Sequence, residues 1–165
     1  MKELYHKIIL EFSKQEIIDI FTQEGVTPPQ LIDLYTRQDL DETNTELGTK
    51  NNLFIDWAIN HREKPSTATI ICRLSYGQFH NTSTHNADDF FLIYIEKVHD
   101  VLKQLETQNT GKLKLVHEGF NDHEKSILNL YQLQYECSYS GKSDLIEFNG
   151  SYDKIMLKNE LKYDF

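Results

Sequence analysis

At 165 residues, 39% of them hydrophobic and 12% aromatic, the chain has enough apolar surface for one packed domain and too little length for two comfortable ones. Twenty-six acids against 17 bases leave a formal charge of -9, and the bases are scattered singly, which argues against direct DNA or RNA binding as the main activity. A mean hydropathy of -0.55, with no apolar run near the ~20 residues of a membrane span, excludes a transmembrane helix.

The opening Met1-Lys2-Glu3-Leu4-Tyr5-His6-Lys7 lacks the apolar stretch and small-residue cleavage site of a signal peptide, so the expected compartment is the cytoplasm. Over residues 2–14, Leu4, Tyr5, Ile8, Ile9 and Phe12 form one helical stripe. The stripe continues less cleanly through Ile17, Ile18, Ile20 and Phe21, and Gly25 with Pro28-Pro29 ends any helix. Leu31-Ile32-Asp33-Leu34-Tyr35 suits a short strand, although Thr27 before Pro28 also imitates a helix N-cap; the strand is favoured. Residues 36–52 read as a long polar loop with almost nothing to bury, and loops of that length are usually functional or flexible.

Leu53 to Ile59 reads as a strand, followed by a turn, Asn60 to Ser66, containing Pro65. The clearest strand is Thr67 to Tyr76. Ala68, Ile70, Cys72, Leu74 and Tyr76 point one way, Thr67, Thr69, Arg73 and Ser75 the other. A second polar loop, Gly77 to about Asp88, leads to the best helix, where Phe91, Tyr94, Val98, Val101 and Leu105 recur at helical spacing. Asn109-Thr110-Gly111 closes it, and Leu113, Leu115 and His117 alternate into a strand. After the turn Asn121-Asp122-His123-Glu124-Lys125, Tyr131, Leu133, Tyr135, Cys137 and Tyr139 line one face of a last strand, and the two strands are expected to pair as an antiparallel hairpin. Residues 144–165 form a weakly determined C-terminal extension. The expected fold is therefore a single α+β domain over 1–165: a short mixed or antiparallel sheet flanked by an N-terminal helix and a mid-chain helix.

Few residues suggest bond-making chemistry. His80 and His85 with Asp88 and Asp89 are close enough in sequence to suggest a metal site, but a polar loop gives them no fixed geometry; a solvated loop is the plainer reading. His117 and His123 flank a hairpin turn, and His99 lies on the polar side of the helix as a surface residue. Cys72 and Cys137 sit mid-strand on core faces, as buried thiols. If their strands are neighbours the two could approach each other. There is no Gly-x-Ser-x-Gly turn and no Gly-rich phosphate loop. No catalytic, cofactor-binding or metal residue is therefore assigned, no cofactor is expected, and the chain reads as a non-enzymatic assembly or binding protein. Tyr131, Tyr135 and Tyr139 suit a sheet core better than an interface. The polar loops 36–52 and 77–88 are as compatible with ordering on a partner as with surface decoration.

The order of an N-terminal helix, Ile32-Asp33-Leu34-Tyr35-x-x-Gln38, a strand with Phe54-Ile55, strand 67–76, the Val98-His99 helix and Tyr131-x-Leu133-x-Tyr135-x-Cys137-x-Tyr139 resembles tail-terminator (tail-completion) proteins of tailed phages and Bacteroidetes-type prophages. The likeness spans most of residues 1–140 and is one of layout. It implies a structural protein whose copies close into a ring capping the tail tube at the head–tail junction. Its partners would be itself and other tail or neck proteins, in the cytoplasm of a bacterial host or on the virion, with no membrane and no sequence-specific nucleic acid. Acids lining such a ring would repel DNA phosphates and let the duplex slide. Two other functions compete: a small metal- or ligand-binding enzyme using His80 and His85, and an adaptor for one cellular protein.

Overall fold

The computed structural model describes residues 1–41, 43, 45–77, 86–121 and 126–141. Its elements run α1 (Lys2–Phe12), α2 (Gln15–Gln23), β1 (Leu31–Leu34), two 3-10 turns (Gln38–Leu40 and Thr45–Thr49), β2 (Asn52–Asn60), β3 (Ser66–Ser75), α3 (Asn86–Leu102), β4 (Lys114–Asn121) and β5 (Leu130–Tyr139). This is an α+β fold. The five strands form one mixed sheet in the order β1-β2-β3-β5-β4, with β1 parallel to β2 and every other pair antiparallel. The hairpin expected from the last two strands is present, with Phe120 opposite Tyr131 and Asn121 opposite Leu130. Among the described residues, no helix is long and apolar enough to cross a membrane.

The N-terminal stripe is divided between two helices. Lys14 is extended (φ -70, ψ 135), and Ser13 turns back through its hydroxyl, which donates to the Leu10 carbonyl at 2.7 Å. Phe21 follows Phe12 by nine residues, and at about 100° per residue an unbroken helix would point the two rings in opposite directions. The break returns Phe21 to the core, where it meets Phe12 edge-on at 6.2 Å. Gly25 ends α2 at φ +76, with its N–H bonded to the Thr22 carbonyl and the Val26 N–H to that of Phe21. That pair of bonds is a Schellman stop, and the positive φ explains the glycine.

All three helices contribute to one core against a single face of the sheet. Leu4, Ile8 and Phe12 of α1, Phe21 of α2 and Tyr94, Val98 and Leu102 of α3 pack with Leu53, Ile55, Ile70, Cys72, Leu74, Leu133 and Tyr135. The residues of strand β3 assigned inward by alternation (Ala68, Ile70, Cys72, Leu74) and the Tyr76 that follows are all buried.

The opposite face carries a smaller core of Leu47, Phe54, Leu128 and Leu130, with Leu31, Tyr35 and Ile127 packed against it. This corrects the reading of residues 36–52 as a loop with little to bury. Parallel neighbours cannot be joined by a tight turn, so the chain from β1 to β2 must cross the sheet. It does so as a strap on the back face, pinned by Leu47 (4% exposed) and by the Ile127 N–H, which donates to the Asp39 carbonyl at 2.8 Å. Asn51 fastens the strap's end. Its side chain donates to the Thr27 carbonyl and accepts from the Gly77 N–H. Gly77 lies so close to the strap that a Cβ there would sit 2.5 Å from the Thr49 carbonyl oxygen.

Candidate functional site

Among the described residues, the most chemically loaded place is the back face beneath the strap. Strand alternation turns Arg73 away from the helices, yet it is only 9% exposed. Its guanidinium carbon lies 3.8 Å from the centre of the Tyr35 ring, and Nη1 stands 3.6 Å from Asp56 Oδ2. The strap places Asp39, fully buried, on the same tyrosine. Burial first, and then the approach and charge of Asp39, raise the Tyr35 hydroxyl above its ordinary pKa, while Arg73 and Arg37 pull it down. That approach falls short of good hydrogen-bond geometry: neither Asp39 oxygen, nor Nε or Nη1 of Arg73, has a hydrogen-bond partner. Nearby, Asn52 Nδ2 donates to the Leu47 carbonyl, the Lys50 carbonyl and Ser75 Oγ, which ties the strap to β3.

The Asp39 carboxylate, buried without a hydrogen bond, weakens the strap that carries it, because it has lost water without a full replacement. Below the strap the same face is open. Asp56, Thr67, Thr69, Gln132 and Gln134 are half-buried, and Ala58, Asn60, Glu136 and Ser138 are exposed. Ile71, between Asp56 and Gln134 in register, is half-buried on the same face.

His80, His85 and His123 lie outside the described residues, as do the Asp88 side chain, most of loop 77–88, the turn after Asn121 and the extension 144–165. Asp89 is exposed at the start of α3, and His117 is exposed on β4. The bulge between Leu115 and His117 breaks the alternation that would have placed both on one face. Among the described residues, no group of three or more His, Cys, Asp or Glu could hold a metal ion. His99 is not a plain surface residue. Its ring stacks on Tyr135 (centroids 5.9 Å apart, 12° between planes), and Nδ1 hydrogen-bonds the Tyr135 hydroxyl at 2.9 Å.

Both cysteines are free and buried. Register sets Cys72 opposite Leu133 and Cys137 opposite Ala68, four residues apart along adjacent strands. At about 3.3 Å per residue that offset exceeds the reach of a disulfide. Burial pushes the Cys72 thiol up to about 12, against a small opposing pull from Arg73, and also raises Cys137. Neither thiol is poised as a nucleophile. The Tyr135 and Tyr139 side chains are core, while Tyr131 is half-buried beside Phe91 and Phe120.

The Asp39–Tyr35–Arg73 grouping was not legible in the sequence, because its members come from a 3-10 turn, the residue after β1 and strand β3. The one available signal was a lone charged residue, Arg73, in the phase of β3 that otherwise bears Thr67, Thr69, Ile71 and Ser75. The chain matches no protein-family model, no curated protein and no solved structure.

Proposed function

We propose that this chain is a structural, non-enzymatic subunit of a phage or prophage particle that completes the tail at the head–tail junction by closing into a ring with its own copies. The observation that carries this reading is the sheet itself. One face is closed by three helices, the other is polar and half open, and the sheet ends in two different outer strands, β1 and β4. A ring needs two unlike surfaces on each subunit, one to give and one to receive, and two dissimilar sheet ends on one rigid unit supply such a pair. The tail-terminator resemblance rests on the same order of an N-terminal helix, strands and a mid-chain helix. The charge of -9 suits a bore through which DNA passes without sticking.

The test is electron microscopy of the purified chain, alone and mixed with tail tubes from the same particle. Rings, or density capping one end of the tubes, are expected. Tubes left uncapped at micromolar protein, together with turnover of a substrate by the pure chain, would replace this reading with an enzymatic one.

A further inference from the structure

The helix face of the sheet is left incompletely covered at one end. Along β2, Leu53 and Ile55 are 0% and 2% exposed beneath the helices. Trp57 and Ile59 continue the same inward phase, yet both are only half-buried. Beside them lies a groove of about 440 Å³ whose apolar lining is Met1, Trp57, Ile59 and Tyr139.

The chain leaves the sheet at this groove. Gly141, two residues beyond the end of β5, is part of its lining. The Gly141 backbone lies against the Tyr139 ring, so closely that a Cβ there would sit 2.7 Å from the Tyr139 hydroxyl oxygen. That ring belongs to the core on the helix side, so the chain departs from β5 over the helix face and away from the polar back. Residues 142–165 follow in the sequence, and ten of these 24 are large apolar or aromatic residues, which is not the composition of a solvated tail. The first such group is Leu145, Ile146 and Phe148. Ile146 stands five residues beyond Gly141, a reach of up to about 17 Å at about 3.3 Å per residue. Ile146 and Phe148 are two apart, the spacing that turns both to one side of an extended chain. At roughly 150 Å³ for a cavity of leucine size, the groove has room for two or three such side chains.

We infer that residues 145–148 fold back onto this groove of their own chain, with Ile146 and Phe148 covering Trp57 and Ile59 and closing the open end of the core. Attachment through a short linker gives the segment an effective concentration on the order of millimolar, which favours it over the same segment of a second copy. The closure concerns the subunit itself and holds whether or not copies form a ring.

Trp57 is the only tryptophan in the chain, so its fluorescence reads the groove directly. In the full chain, Ile146→Ser with Phe148→Ser is expected to raise acrylamide quenching of Trp57 about twofold and to shift its emission to the red, with far-ultraviolet circular dichroism unchanged. Ile155→Ser with Leu157→Ser removes comparable apolar surface further along and is expected to leave both readings at the parent's values. Lys2→Cys with Glu147→Cys keeps every apolar residue of the contact in place, and a short thiol cross-linker is expected to join the two within one chain; the native thiols are buried. Quenching unchanged by the first serine pair, or raised equally by the second, would overturn the assignment. So would the absence of a cross-link, or one that joins two chains. If the first serine pair does not fold, the cross-link decides alone.

Discussion

If the strap from β1 to β2 is a separately packed unit, Leu47→Ala should release it. The side chain is 4% exposed in a cluster with Phe54, Leu128 and Leu130 on the back face, away from the helices. Removing its three outer carbons forfeits about 2.4 kcal/mol at about 0.8 kcal/mol per buried methylene. The cavity term is small, because Leu47 belongs to a four-residue cluster on the back face, whose members can close over the gap more readily than the main core. The expected loss is therefore about 2–3 kcal/mol, or roughly 4–12 °C in Tm for a domain of this size. Urea unfolding measures the total, and native-state hydrogen exchange measures where it falls. The Leu40, Asp41 and Lys50 amides, which bond within the strap, should exchange roughly 30- to 150-fold faster. Leu133→Ala is the control. Leu133 is fully buried on the helix face, so its loss should lower the stability of the whole sheet and leave strap exchange near its parent rate. Equal acceleration of the strap amides in both variants would refute a separate unit, as would a cost below about 0.5 kcal/mol for Leu47→Ala.

Two further outcomes follow from the buried polar groups. Arg73→Met should cost about 1–3 kcal/mol in urea unfolding, because it removes a nearly buried guanidinium from the Tyr35 ring and from Asp56, whereas Asp56→Asn should cost less than about 1 kcal/mol, since that side chain is 45% exposed; a larger effect from Asp56 would refute this ranking. The folded chain keeps the Cys72 proton above pH 9.0, where an unfolded thiol gives it up, so this contribution to stability is complete below pH 9.0 and is lost as pH rises toward about 12. Raised values at Cys137, Tyr94 and Tyr135 act in the same direction. Cys72→Ala should thus lose stability less steeply than the parent, by about 0.7 kcal/mol per pH unit at pH 9.0 and about 1.4 near pH 10.5, and equal slopes in urea titrations would contradict it.

The chain's own pattern determined the elements that have a full apolar face. Alternation placed β3 and β5, helical spacing placed α3, and both assigned Ile70, Cys72, Leu133, Tyr135, Tyr94 and Val98 to a core in which all are buried. The α+β class followed from those elements. Periodicity records which way a side chain points within its own element, and nothing about what lies over it. That limit explains the misreadings. Residues 36–52 looked featureless because two of their buried residues, Leu47 and Asp39, are isolated among polar neighbours; only the parallel pairing of β1 with β2 forces that segment across the sheet. His99 read as surface because its partner, Tyr135, is 36 residues away. The break at Ser13–Lys14 answers to the need to bring Phe21 onto Phe12, a demand of the core rather than of either helix. Arg73, Tyr35 and Asp39 became one site only when three segments were stacked on one face, because charge and ring contacts act through space and leave no period in the sequence.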